Sequence, residues 1–264
     1  MSEKKLVSII VNCHNGQKYL ENCIKSILEQ TYKNWELIFW DNASTDNSKK
    51  ILKKFKDKRI KYYKSKKLLN LYEARNLAVD KSKGKYISFL DTDDLWVKDK
   101  LKKQINFLND NKDFKIVFYN YYVLKESNKT QFIKHKFNLP SGAITQDLLN
   151  NYSLGILTVF LERNLFNNLK FKKNYNIIGD FDFFINISKK FKIASIQEPL
   201  AFYRIHESNY TSKAINLYIQ EQKQWIAKNE KVLQSEGFNI GKQKTYLLKQ
   251  KIKYFLRSFL NFSS

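Results

Sequence analysis

The chain has 264 residues, of which 43% are hydrophobic and 15% aromatic, and its formal net charge is +23 at pH 7. This composition excludes a disordered protein and allows a large buried core, while the charge favours phosphate-rich partners such as nucleotides and anionic lipids. Nucleic acid is not an expected partner, since the sequence contains no helix-turn-helix, zinc-binding or aromatic RNA-binding motif.

The termini and cysteines predict a cytoplasmic protein. No apolar run approaches the roughly 20 residues of a membrane span, and residues 1–5 lead into a strand rather than a signal sequence. Cys13 and Cys23 are the only cysteines in the sequence, and both lie in or beside predicted core elements. We therefore expect neither a disulfide framework nor a metal site that uses cysteine.

The first part of the chain alternates strands and helices. Apolar runs predict strands at 6–11, 35–40, 59–64 and 86–90. Helical spacing and turn residues predict helices at 17–30, 46–56 and 71–82. This alternation predicts an α/β fold with a central, mostly parallel sheet that binds ligands at the carboxyl ends of its strands.

The strand at 86–90 runs directly into Asp91, Asp93 and Asp94. Three carboxylates at the end of a buried strand repel one another, so they favour a bound cation. Oxygen ligands suit Mg²⁺ or Mn²⁺ with a phosphate supplying further ligands. An acidic loop before a helix is the alternative interpretation. Because no glycine-rich dinucleotide or P-loop motif is present, a phosphate here would need a metal to hold it.

The second part of the chain is less regular. Its pattern predicts helices at 98–111, 163–169, 217–233 and 245–262, strands at 115–124, 155–161 and 193–196, and a turn at 198–199. A turn at 126–130 precedes a polar, basic stretch at 131–141, which we expect to be a mobile loop over the site. The last helix is amphipathic and rich in lysine, a pattern typical either of a helix on an anionic membrane or of one packed on its own domain.

Three stretches together carry a family resemblance: VSIIVNCHN, ELIFWDNASTDNS and EARNLAVDKSKGKYISFLDTDD. In this order and spacing they resemble the family 2 glycosyltransferases of GT-A fold. The resemblance implies a Rossmann-like GT-A domain over residues 1–213, with a nucleotide-binding half at 1–97 and an acceptor-binding half at 98–213. Residues 214–264 would form a basic helical extension.

The activity implied by this resemblance is inverting, metal-dependent transfer of one sugar from a nucleotide sugar, which we expect to be a UDP-sugar. The acceptor would be a hydroxyl group of a cell-surface glycan or a lipid-linked glycan, and the protein would be cytoplasmic or peripheral on the inner face of the membrane. Single transfer is expected because the family's processive segment Q-x-x-R-W and its membrane spans are absent. A nucleotidyltransferase-like enzyme and a non-catalytic sugar-nucleotide-binding protein are the alternatives.

The resemblance assigns donor-binding residues after the first two strands. Asp41 matches the aspartate that reads the base, and Arg75 resembles an arginine near the base and diphosphate; the alternative for Arg75 is an ion pair on a helix surface. Asn12 belongs to the donor loop, where Asn-Cys-His replaces a more common Pro-Thr-Tyr. His14 would either stack on a base or fill the loop, and Asn42 replaces a frequent second aspartate.

The acidic motif and a later Y-R-x-H segment receive roles in the same way. Asp91 matches the aspartate that faces the ribose and sugar, Asp93 the metal ligand, and Asp94 a residue that orients the donor sugar. His206 would complete the metal shell, for which Mn²⁺ or Mg²⁺ is expected, although a structural role is equally compatible. Arg204 would contact the diphosphate or support the acceptor loop.

Inverting transfer needs a carboxylate that takes the proton of the acceptor hydroxyl. Asp180 matches the second residue of the family's Glu-Asp pair, so we expect it to be the general base; capping of a helix is the alternative. Gly179 stands where the glutamate of that pair is common. For Asp182 we expect a solvated position on the helix surface.

Overall fold

The computed structural model describes residues 5–207, 209 and 214–261, and the α/β class expected from the sequence is confirmed. The strands are β1 (Val7–Cys13), β2 (Trp35–Asp41), β3 (Ile60–Lys64), β4 (Tyr86–Phe89), β5 (Leu95–Trp96), β6 (Ile116–Lys125), β7 (Thr130–Ile133), β8 (Phe160–Glu162) and β9 (Ile193–Ile205). The helices are α1 (Leu20–Leu28), α2 (Ser48–Lys53), α3 (Leu71–Asp80), α4 (Lys100–Asp110), α5 (Thr145–Asn150), α6 (Gly179–Ser188), α7 (Ile215–Ser235) and α8 (Gly241–Asn261).

The first four strands form a parallel sheet in the order β3-β2-β1-β4. All seven residues of β2 are buried, because helices cover both faces of the sheet. The register places Cys13 opposite Asp41 and Ile10 opposite Phe89. The chain therefore leaves β1, β2 and β4 at one edge, where the sequence predicts ligands to bind.

The second half of the sheet is mixed. β8 runs antiparallel to both β4 and β6, whereas β9 runs parallel to β6 and antiparallel to β5. The sheet is thus wholly parallel in its first half and combines parallel and antiparallel pairs in its second. β9 also passes through the turn predicted at 198–199, and register shifts beside Tyr119 and Asn120 accommodate Pro199 within the strand.

Three other predicted elements differ from the structure. The stretch at 131–141, which was expected to be a mobile loop, begins within the edge strand β7. All four side chains of β7 are exposed, so the sequence shows no alternation of apolar and polar residues there. The strand predicted at 155–161 is a 3-10 turn (Ile156–Thr158) followed by β8, since a continuous apolar run does not distinguish the two. The helix predicted at 163–169 is a 3-10 turn (Arg163–Asn167).

Two apolar clusters lie on opposite faces of the sheet. One joins it to α1, α2 and α4, and the other to α3, α5 and α6. The second cluster also contains Trp225 and Leu233 from α7 and Leu247 from α8, so both C-terminal helices pack on the domain. The boundary predicted between residues 213 and 214 lies at the edge of a segment, 210–213, outside the described residues. Every helix among the described residues is too short or too polar to span a bilayer.

Candidate active site

Polar side chains gather where β1 and β2 end. The amide Nδ2 of Asn12 is buried and has no hydrogen-bond partner in the structure. Asp41 is 1% exposed, and its carboxylate accepts hydrogen bonds from the Tyr62 hydroxyl and the Ser44 backbone N–H, each at 2.7 Å. An unpaired amide donor and a fixed carboxylate at the ends of neighbouring strands suit a ligand that carries both donors and acceptors.

The residues that depart from the family pattern hold the loops together. Asn42 donates to the Leu69 carbonyl (2.9 Å) and accepts from the Leu69 N–H (3.0 Å), which ties the end of β2 to the segment before α3. His14 is exposed, and its Nδ1 lies 3.0 Å from the Asn42 carbonyl oxygen. An amide at position 42 can both donate to and accept from the Leu69 backbone, which an aspartate could not do when ionised.

Asp91 follows β4 and forms an ion pair with Arg75 of α3. One guanidinium nitrogen, Nη2, donates to both Asp91 carboxylate oxygens, at 2.8 and 3.0 Å. The Arg75 side chain is 4% exposed and that of Asp91 is 36% exposed. Arg75 is therefore buried beneath the acidic loop and does not form the surface ion pair considered as its alternative. Removing one partner of a buried pair is costly, so the two side chains fix each other.

Asp93 and His206 meet across the sheet edge. Asp93 Oδ2 lies 3.0 Å from His206 Nε2 and 3.4 Å from the Asn209 amide nitrogen. Burial and the neighbouring Asp91 raise the pKa of Asp93, and His206 opposes that rise. Within the described part of the chain, no group of three His, Cys, Asp or Glu side chains could hold a metal ion alone. One carboxylate and one imidazole nevertheless fit a divalent cation whose other ligands are phosphate oxygens.

Asp94 and Arg204 fasten the acidic loop to the end of β9. Asp94 is 1% exposed and accepts a hydrogen bond from the Arg204 backbone N–H at 2.9 Å. The Arg204 side chain donates from Nε to the Asp93 carbonyl oxygen (2.9 Å) and pairs with Glu126 at 3.4 Å. Burial, together with Asp93 and Asp91, raises the pKa of Asp94 well above its ordinary value. Both side chains therefore support the loop, and neither is placed by these contacts toward a phosphate.

Asp180 lies in the first turn of α6. Its Oδ1 accepts hydrogen bonds from the Phe181 N–H (2.9 Å) and the Tyr72 hydroxyl (3.2 Å). Burial raises the pKa of Asp180, while Arg75 and these hydrogen bonds oppose the rise. A carboxylate whose pKa lies above its ordinary value is a better proton acceptor than a free aspartate, as a general base requires.

Tyr72 connects the acidic motif to Asp180, and no sequence motif singles it out. Its ring lies 5.5 Å from the Arg75 guanidinium carbon, and its hydroxyl donates to the Ile177 carbonyl and to Asp180. A Cβ atom at Gly179 would lie 2.5 Å from two carbons of this ring, so only glycine fits there. A continuous set of contacts thus runs from Asp91 through Arg75 and Tyr72 to Asp180.

A buried glutamate from α7 holds the segment before α6. The carboxylate of Glu221, which is 3% exposed, accepts hydrogen bonds from the backbone N–H groups of residues 176, 177 and 178, at 2.6, 3.0 and 3.2 Å. The prediction for Asp182 was wrong: it is 2% exposed and accepts from Lys172 (2.9 Å) and the Trp225 indole (3.0 Å). Trp225, from a helix remote in sequence, covers this position, which no local pattern could reveal.

The family model described as glycosyl transferase family 2 matches residues 8–188. Among curated relatives, the E. coli UDP-Glc:alpha-D-GlcNAc-diphosphoundecaprenol beta-1,3-glucosyltransferase WfgD is 32% identical over 222 residues, covering 83% of this chain and 84% of the relative. The putative teichuronic acid biosynthesis glycosyltransferase TuaG of Bacillus subtilis is 30% identical over 231 residues, covering 86% and 88%.

Solved structures show the same fold. S. aureus TarS 1-349 superposes with a TM-score of 0.65 at 16% identity over 83% of this chain, which spans 65% of the TarS chain. The mannosyltransferase PcManGT from Pyrobaculum calidifontis, in complex with GDP-Man and Mn²⁺, gives a TM-score of 0.63 at 17% identity, covering 86% of this chain and 65% of that one. The GT-A fold expected from the sequence is confirmed.

Proposed function

The chain belongs to glycosyl transferase family 2, and from that premise we propose that this glycosyltransferase moves a single sugar from a UDP-sugar to a hydroxyl group of a lipid-linked glycan, with inversion. The observation that carries the proposal is the series of contacts from Asp91 through Arg75 and Tyr72 to Asp180. It joins a strand-end acidic motif to Asp180, a half-buried carboxylate of raised pKa, and inverting transfer uses one group of each kind.

The donor side of the proposal uses the strand ends. Asn12 and Asp41 would bind the base, and Arg75, Asp91 and Asp94 would set the position of the ribose and sugar. A UDP-sugar is favoured because the name of WfgD specifies UDP-Glc and because TarS has been crystallised with UDP and with UDP-GlcNAc. These relatives support the choice of donor, and the residues present in this chain are compatible with it.

Asp93 and His206 would hold a divalent cation, Mn²⁺ or Mg²⁺, against the diphosphate. When bound, such a cation neutralises charge on the leaving group. Around it, Arg204 keeps the Asp93 loop in place, and Asp180 takes the proton of the attacking acceptor hydroxyl. The acceptor oxygen then forms the bond to the anomeric carbon as the bond to the diphosphate breaks, and the proton stays on Asp180.

The decisive experiment is a transfer assay with purified protein. UDP-, GDP-, dTDP- and CMP-sugars would be offered with a short-chain lipid diphosphate sugar as acceptor, with Mn²⁺ or with EDTA, and products identified by mass spectrometry. We expect one added sugar from a UDP-sugar, loss of activity in EDTA and recovery with Mn²⁺. Nucleotide transfer to a sugar phosphate would support a nucleotidyltransferase instead, and donor binding without turnover would support a non-catalytic binding protein.

We further propose that α8 attaches the enzyme to the inner, anionic face of the membrane. Leu248, Ile252, Phe255 and Leu256 recur at the spacing of one helix face, and each is more than half exposed. Leu247, on the side that packs on the domain, is 7% exposed. Lys249, Lys251 and Lys253 are interspersed, as in helices that bind anionic head groups.

Vesicle co-sedimentation tests this attachment. We expect binding to vesicles that contain phosphatidylglycerol, weaker binding in high salt, and loss of binding in a Leu248→Glu, Ile252→Glu variant. Val232→Glu, at a position of α7 that is 53% exposed, serves as the matched control and should bind like the unchanged protein. Equal binding by the double variant would rule out α8 as the attachment surface.

A further inference from the structure

A cavity of about 530 Å³ lies beside Asp180. Its walls come from four separate parts of the chain: the segment after β7, the end of α5, the start of α6 and the two C-terminal helices. The cavity has the size at which proteins enclose small ligands. Because α7 and α8 lie beyond residue 188, where the family match ends, part of this cavity is built by residues outside the matched domain.

Two residues that line the cavity each have a buried polar atom with no hydrogen-bond partner. These atoms are His135 Nε2 and the Tyr152 hydroxyl oxygen. His135 is 8% exposed, and its backbone is fixed by two hydrogen bonds with the Asn120 side chain, at 2.7 and 3.2 Å. Buried polar groups are nearly always paired, so unpaired ones lining a cavity indicate a ligand that supplies their partners.

The opposite wall carries aromatic rings and amides. Tyr218 of α7 and Tyr246 of α8 meet edge to face at 6.4 Å. The Gln222 amide donates to Gln243 at 2.7 Å, and Gln243 donates in turn to the Leu149 carbonyl at 2.7 Å, which locks α7, α8 and α5 together. Rings that offer an apolar face and a hydroxyl, next to fixed amides, match a sugar, which has C–H faces and many hydroxyl groups.

We propose that this cavity binds the sugar at the accepting end of the glycan, an inference that rests on the function proposed above. His135 and Tyr152 hydrogen-bond to hydroxyl groups of that sugar, Tyr218 and Tyr246 pack on it, and Asp180 takes the proton of the hydroxyl that reacts. Among the described residues that line the cavity, Lys134 is the one cation. The site therefore favours a neutral sugar ring over a phosphate, and α7 and α8 set which acceptor the enzyme uses.

Tyr152→Phe tests the proposal because it removes only an unpaired hydroxyl. We expect the acceptor KM to rise about tenfold, which is about 1.4 kcal/mol, with the donor KM unchanged and the Tm of the free enzyme not lowered. Tyr119→Phe is the matched control: it removes a buried hydroxyl bonded to the Leu157 carbonyl on the other face of the sheet. That variant should lower Tm and leave the acceptor KM unchanged.

His135→Phe is the second variant, since a phenyl ring can keep the ring contacts with Tyr121 and Phe137. It should also raise the acceptor KM without changing the donor KM. An unchanged acceptor KM in both variants, with donor turnover intact, would overturn the acceptor site and leave the proposed transferase activity standing.

A binding measurement separates this inference from the proposed function. Saturation-transfer NMR with methyl glucoside, galactoside, mannoside and N-acetylglucosaminide should show at least one glycoside bound by the unchanged protein and weakened by Tyr152→Phe. No glycoside bound, or equal signals from both proteins, would overturn the site whether or not turnover is observed. Binding without sugar transfer from any donor would reject the proposed function alone.

Discussion

The two sides of the active site are held in place by different means. On the proposed donor side, Asp41 and Asp91 sit where the parallel strands β2 and β4 end, on either side of β1, and strand register sets their separation. On the acceptor side, Asp180 begins a helix whose preceding segment is held by Glu221, a residue some forty positions later in the chain. Hydrogen bonds between strands position Asp41 and Asp91, whereas the buried carboxylate of Glu221 holds the segment that precedes Asp180.

This difference separates donor binding from acceptor choice. The donor side cannot change without disturbing the sheet, whereas α7 and α8 can vary around the acceptor cavity while β1, β2 and β4 stay the same. Arg75 and Tyr72 connect the two sides. Changes on the donor side should therefore affect the donor KM, and changes on the acceptor side should affect kcat or the acceptor KM.

Asp180→Asn should have the largest effect. Loss of a general base typically lowers the rate by about 10²–10⁴-fold, and we expect transfer to fall by that amount while donor affinity stays the same. Asp182→Asn, two residues along, is the control; it loses an ion pair with Lys172, so it should lower stability with little change in the rate. Full transfer activity in Asp180→Asn would show that another group is the base.

Glu221→Gln should have the next largest effect. Its carboxylate accepts three backbone N–H groups, and hydrogen bonds to a charged group contribute about 1.5–3 kcal/mol each. We expect kcat to fall about tenfold and the free energy of unfolding to fall by about 2 kcal/mol, while the donor KM stays unchanged. Glu230→Gln, on the same helix, is the control and should leave both kcat and the donor KM unchanged. A raised donor KM in Glu221→Gln would contradict the separation of the two sides.

Tyr72→Phe should move the pH profile. Burial raises the pKa of Asp180, so the base is protonated, and transfer is lost, at higher pH than for an ordinary aspartate. The Tyr72 hydroxyl stabilises the charged carboxylate, and its removal raises that pKa further. The acid limb of kcat should therefore shift to higher pH in Tyr72→Phe and stay in place in Tyr119→Phe. A shift to lower pH would contradict the assignment of Asp180.

Lys100→Met should change stability alone. Lys100 lies fully buried on α4, where it donates to Ser88 of β4 at 2.6 Å, and burial lowers its pKa well below the ordinary value. The unfolded chain binds more protons, so wild-type stability rises with pH relative to the variant, by up to about 1.4 kcal/mol per pH unit between the lowered pKa of Lys100 and the ordinary pKa of lysine. Urea unfolding at several pH values measures this slope. Kinetic constants should not change, because Lys100 contacts neither side of the site.

The donor side could be predicted from the sequence because its signals are local. An apolar run that ends in aspartates predicts both the strand and the polar residues at its end. The register of parallel strands then brings these strand ends together at one edge of the sheet. Arg75 was recognised from the family resemblance of the segment EARN, although its burial was not predicted. The predicted donor and metal roles remain predictions that the assays above would test.

The acceptor side could not be predicted in the same way. His135 and Tyr152 lie in irregular segments and Tyr218 lies on α7, and these residues meet only through tertiary packing. Asp182 was placed in solvent because an aspartate in a first helical turn is usually solvated; Trp225 excludes water from it. The edge strand β7 was missed because a strand exposed on both faces does not alternate.

The close contact between Gly179 and the Tyr72 ring has an evolutionary consequence. A glutamate at 179, as the family pattern would have it, would collide with the tyrosine that orients Asp180. The two positions should therefore show strong epistasis, with substitution at 179 tolerated only beside a small side chain at 72. In a library randomised at both positions, active clones should fall into two classes. One has glycine at 179 with tyrosine at 72, and the other has a larger residue at 179 with a smaller one at 72.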